Sequence, residues 1–104
     1  MINFIWLLFA HFIGDIALQG QWQADNKGTH WFVMLCHCMI YTALICIALE
    51  YIGMLELWKV FFILVGHILI DTWKCTYETK PENMWTLYVD QTIHLIQLVI
   101  VFVI

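Results

Sequence analysis

Three short stretches, "HFIGD" at 11–15, "HILID" at 67–71 and "DQTIH" at 90–94, each place a histidine and an aspartate four residues apart inside apolar sequence. Residues four apart lie on one face of a helix, so each pair projects in a single direction. Imidazole with carboxylate suits zinc, iron or manganese better than copper(I) or calcium. The same groups also relay protons when they lie within a membrane.

Their depth makes the pairs a set. With the polar-loop ends of the helices at positions 19, 30, 74 and 86, Asp15, Asp71 and Asp90 lie 4, 3 and 4 residues in. His11, His67 and His94 lie 8, 7 and 8 residues in, and His37 lies 7 in. At 1.5 Å per residue these are two layers about 6 Å apart in one leaflet. The reversed order of "DQTIH" is what antiparallel geometry requires, because the fourth helix runs away from the loops that the first and third approach. On the second helix, His30, His37 and Tyr41 follow a similar spacing of seven and four.

The elements that position these residues follow from composition. The chain has 104 residues, is 63% hydrophobic and only 12% charged, where a soluble surface needs about a quarter charged residues. Apolar runs at Ile2 to about Leu18, Trp31 to about Ile52, Leu57 to about Trp73 and Leu87 to Ile104 approach the roughly 20 residues of a spanning helix. The first run lacks a basic leader and a small-residue cleavage site, and it carries His11 and Asp15, so it reads as a mature helix rather than a signal peptide. The links are a polar loop at 19–30, a tight turn around Gly53 and a second polar loop at 75–86 that holds the only proline. Short links favour antiparallel neighbours, which predicts an all-α, polytopic membrane protein, one domain over 1–104, with four transmembrane helices in an up-down bundle. Trp6 and Trp58 near one face, with Trp22, Trp31, Trp73 and Trp85 near the other, read as interfacial belts.

Lys27, Lys74 and Lys80 on the loop side, against Lys59 alone opposite, predict cytoplasmic loops with both termini outside by the positive-inside rule. A net charge of −4 argues against nucleic acid and against a polybasic lipid patch. The cysteines, Cys36, Cys38, Cys46 and Cys75, form neither a CxxC motif nor a disulfide framework and read as small packing residues.

An aspartate near the bilayer centre costs about 2.5–3.5 kcal/mol on insertion scales, so these groups are expected to face one another in the bundle core. The expected ligands are His11, Asp15, His37, His67, Asp71, Asp90 and His94, holding one or two divalent transition-metal ions, zinc foremost, with iron or manganese as alternatives. Three aspartates bring −3, two divalent ions bring +4, and a bridging hydroxide leaves the site near neutral. Metal-bound water is a nucleophile near neutral pH, so hydrolysis of a phosphate or acyl ester at the membrane surface is the leading expectation. Asp15, Asp71 and Asp90 are its catalytic carboxylates. Gln19, Asn26, Lys27, Lys74 and Gln91 are candidates for substrate or outer-shell contacts, with Lys74 able instead to snorkel to the interface.

"HFIGDIALQ", "NKGTH", "CHCMIYT", "GHILIDTWK" and "DQTIH", in this order and spacing, resemble a family of small bacterial and phage membrane proteins catalogued as domain of unknown function 3307. The resemblance covers nearly the whole chain. It implies a multi-pass membrane protein whose pattern falls on His11, Asp15, Asn26, Lys27, His37, His67, Asp71, Lys74, Asp90, Gln91 and His94, and it implies no activity. Two other classes stay open: a proton or metal-ion transporter, whose through-path requires a homo-oligomer, and a structural, lesion-forming or partner-binding membrane protein.

Overall fold

Long apolar stretches interrupted only at polar loops produce helices and nothing else among the described residues. The computed structural model describes residues 2–17, 22, 29–76, 82 and 84–104, and within these there are four helices and no strand. Helix α1 spans Ile2–Phe12 and runs directly into a wider π-helical turn, Ile13–Ala17. Helix α2 is Trp31–Tyr51, α3 is Leu57–Cys75 and α4 is Met84–Val103. The expected segments are recovered with shifted ends: α4 begins at Met84 rather than Leu87, and α1 changes its winding at Ile13 instead of continuing as α-helix.

Side-chain contacts show α1 running antiparallel to α2 and to α4, and α3 antiparallel to α4. Trp6 meets Tyr51, and Gly14 meets Tyr41. Phe4 meets Phe102, and His11 meets His94. Lys74 meets Asp90, and Gly66 meets Gln97. Together these close an up-down bundle in which α1 packs on α2, α2 on α3, α3 on α4, and α4 back on α1.

The interior divides into two halves. One is apolar, built from Leu7, Ala10, Ile45, Leu49, Ile63, Leu98 and Val101. The other buries His11, Asp15, His37, His67, Asp71, Asp90 and His94. The outside is the reverse of a soluble protein, with Phe9, Phe32, Ile47, Phe61, Leu69 and Val99 exposed, and such extended apolar surface calls for an apolar neighbour. Two helices, Trp31–Tyr51 and Met84–Val103, are long and apolar enough to cross a membrane, while the apolar stretch Asn3–Ile16 is shorter. Helix α3 matches them in length but carries Lys59, Asp71 and Lys74.

The turn after α2 is closed by backbone chemistry. Gly53 has φ +75°, its N–H donates to the Glu50 carbonyl, and the Met54 N–H donates to the Leu49 carbonyl. This is the paired 5→2 and 6→1 arrangement of a Schellman cap. Lys59, buried at the start of α3, donates from Nζ to the Met54 carbonyl at 2.8 Å and so ties the turn to the next helix. An alanine at 53 meets no atom within 4 Å, so its penalty is conformational strain alone. Gly53→Ala is expected to lower stability by about 1–2 kcal/mol in detergent unfolding, with Gly53→Asn closer to wild type; equal stability of all three would contradict the assignment.

Candidate metal centre

Each helix delivers its polar residues to the same end of the bundle. On α2, His37 and Tyr41 follow at i and i+4, and on α3 and α4 the pairs His67/Asp71 and Asp90/His94 do the same. Asp15 is carried by the π-helical turn, a feature often found at functional sites. Gly14 beside it lets α1 approach the α2 backbone closely, since a Cβ there would lie 3.2 Å from the Tyr41 Cα.

Three donor atoms converge at the centre. His37 Nε2 lies 3.3 Å from Asp15 Oδ1, His67 Nε2 lies 3.5 Å from the same oxygen, and the two imidazole nitrogens are 3.1 Å apart. Metal–ligand bonds of about 2.0–2.1 Å in tetrahedral geometry separate neighbouring ligands by roughly 3.3–3.4 Å. The triangle therefore has the dimensions of one face of such a coordination sphere, with the fourth vertex left over. Asp71 Oδ2 is a further 3.2 Å neighbour of His37 Nε2. A single N–H can align with only one of these three partners, whereas a cation attracts all the donors at once. Asp15, His37 and His67 form one group that can hold a metal ion, and Asp15, Asp90 and His94 form a second.

Gln91 brackets the two carboxylates. Its Nε2 donates to Asp15 Oδ2 at 2.8 Å and to Asp90 Oδ2 at 2.9 Å, leaving Asp15 Oδ1 turned to the triangle and Asp90 Oδ1 to His94 Nε2 at 3.0 Å. Ionised carboxylates only accept, so the amide orientation follows, and Gln91 Oε1 must accept from His11 Nε2–H at 2.8 Å. His11 Nδ1 is then a lone pair, and the Tyr41 hydroxyl donates to it at 2.6 Å. Both ring nitrogens of His11 are thus engaged, and His11 belongs to neither of the two groups that can hold a metal ion. Tyr41 also stacks on His67 with ring centroids 4.1 Å apart, and His67 stacks on His94 at 4.3 Å. Those contacts set the ring planes.

Lys74 turns inward rather than out to the interface. Its Nζ donates to Asp90 Oδ2 at 3.3 Å and lies 3.7 Å from Asp71 Oδ1. This changes the charge count: three carboxylates and one ammonium leave −2, which a single divalent cation neutralises. Of the other outer-shell candidates, Gln19, Asn26 and Lys27 lie outside the described residues. Sequence reasoning did not single out Gln97, whose Oε1 faces His94 Nδ1 at 3.3 Å and whose Nε2 donates to the Phe62 carbonyl at 3.4 Å. Its place three residues after His94, on the same helix face, was the available signal.

An all-helical bundle with a buried histidine–aspartate cluster is the class that this fold and site define. The chain belongs to the family described as "Protein of unknown function (DUF3307)", whose sequence profile matches residues 3–104. No curated protein and no solved structure matches it.

Removing Gln91 strands buried acceptors on Asp15 and Asp90 and a donor on His11, each worth about 1–3 kcal/mol when unsatisfied. Tyr41→Phe removes one hydrogen bond and keeps the ring. Gln91→Leu is therefore expected to destabilise the metal-free protein by more than Tyr41→Phe, with a lower unfolding midpoint in detergent; the opposite order would refute the bracket.

Proposed function

We propose that the chain is a polytopic membrane protein with four spans and a metal-dependent hydrolytic centre, acting on a phosphate or acyl ester at the membrane surface. The observation that carries this reading is the triangle of Asp15, His37 and His67. Three protein ligands with one open position is the pattern of catalytic zinc sites, whereas structural sites are closed by four. Zinc is the first candidate ion, with iron or manganese accepted by the same donors.

The membrane part is supported by the inverted distribution of polarity. α1 is shorter than α2 and α4, and α3 carries charged residues, yet Asp15, Asp71 and Lys74 turn inward, so the surfaces left outside, including Phe9 and Leu69, suit lipid. The lysines of the loop side favour a cytoplasmic position for the loops.

A divalent ion held by Asp15, His37 and His67 would lower the pKa of a bound water. Asp71, the carboxylate beside His37, would accept a proton from the water as its oxygen adds to the phosphorus or acyl carbon, and would return that proton to the alcohol oxygen as the ester bond breaks. Asp90, paired with Lys74, is the other carboxylate in reach of the centre. A groove of about 520 Å³ between α2 and α3, lined by Trp31, Met34, Leu35, Ile68, Thr72 and Cys75, offers an apolar seat next to the helices that carry His37 and Asp71. A transport role finds less support, because Leu7, Ile45, Leu49, Ile63, Leu98 and Val101 fill the half of the core beyond the polar layer.

Protein purified in detergent without chelators should carry at least one equivalent of transition metal by elemental analysis, and His37→Ala should lose it. Reconstituted protein should hydrolyse a member of a phosphodiester and acyl-ester lipid panel, with Asp71→Asn reducing turnover by about 10²-fold or more while metal is retained. Less than half an equivalent in the wild type defeats the metal reading. Metal-dependent flux into liposomes without turnover would replace hydrolysis by transport.

A further inference from the structure

We propose that Asp15, Asp90 and His94 form a second divalent-cation position sharing Asp15 with the first, and that Gln97 presents His94 to it. This rests on the metal reading above and extends it from one ion to two.

Hydrogen-bond bookkeeping leads to the second position. Gln97 Nε2 donates to the Phe62 carbonyl, so its Oε1 is the atom facing His94 Nδ1. Nδ1 is therefore the protonated nitrogen, and in neutral imidazole Nε2 is a bare lone pair. That lone pair lies 3.0 Å from Asp90 Oδ1. Neither atom has an aligned hydrogen bond, and both residues are fully buried. Two acceptors held this close and this dry repel unless a cation lies between them. A proton fills that role through a straight N–H···O bond, and the contact lacks that alignment. A metal ion needs only that both lone pairs converge, and Asp15, common to both groups, supplies a third donor.

The orientation of Gln97 is itself built in. A Cβ on Gly66 would lie 1.6 Å from Gln97 Nε2 and 2.8 Å from its Cδ, so α3 provides a notch that only glycine leaves open. A histidine ligand usually donates its other ring N–H to an acceptor that fixes its tautomer and direction, and Gln97 fills that place for His94. The second ion would bring the charge from neutral to +2. A bridging hydroxide and an anionic ester would then offset it.

The test is metal stoichiometry on the full chain in detergent, loaded with zinc or cobalt(II), desalted and analysed for metal. Wild type should retain two equivalents, and cobalt(II) should show magnetic coupling of a pair on the order of 3.5–4 Å apart. His94→Ala, Asp90→Asn, Gln97→Leu and Gly66→Ala should each drop to one equivalent with coupling lost, while Gln97→Glu, which keeps the acceptor oxygen, should hold two. One uncoupled equivalent in wild type, unaffected by His94→Ala and lost in His37→Ala, overturns the second position and leaves the proposed function standing. No metal in wild type overturns both. Two equivalents in both Gln97→Leu and Gly66→Ala, with helical content intact, remove Gln97 from the role.

Discussion

Three carboxylates inside a bundle of apolar helices are the constraint on which the rest of this structure depends. An ionised group withdrawn from water is tolerated only where it is paired and hydrogen-bonded, and here that requirement falls on every helix. Asp15 comes from the turn after α1, Asp71 from α3 and Asp90 from α4, while α2 contributes His37 and Tyr41. Each aspartate also meets a side chain from another helix: Asp15 meets His37 and Gln91, Asp71 meets His37, and Asp90 meets Lys74. The polar half of the core therefore links all four helices, and removing one partner strands groups on two others.

Glycine positions show how closely the helices must approach for that to work. Gly14 brings the π-helical turn against Tyr41, and Gly66 opens the notch that Gln97 fills. The apolar half is ordinary by comparison, with Leu, Ile, Val and Ala packing at the other end and the Gly53 cap turning α2 into α3. One end of the bundle thus provides cohesion and the other a polar constellation.

Much of this was legible in residue order. Hydropathy located the helices to within a few residues, Gly53 marked the turn, and counting from the loop ends put seven ionisable groups at matched depth. These readings succeed because helical rise and periodicity are local properties of the backbone. Roles within the cluster were not legible. His11 and Asp15 share a spacing with His67 and Asp71, yet His11 holds Gln91 and Tyr41 while His67 faces Asp15. From its spacing Lys74 is expected to reach out to the interface, yet it lies beside Asp90.

The sequence by itself determined that the chain is helical, that its helices alternate in direction, and that its histidines and aspartates gather at one end. Only the tertiary structure decided which nitrogen faces which oxygen, because that depends on side chains from three or four helices meeting within about 3 Å. A π-helical turn at Asp15, a glutamine held in a glycine notch and a lysine bent inward each redirect a donor. Whether a set of residues makes a ring of hydrogen bonds or a triangle of ligand dimensions turns on such displacements, and spacing along one helix carries no record of them.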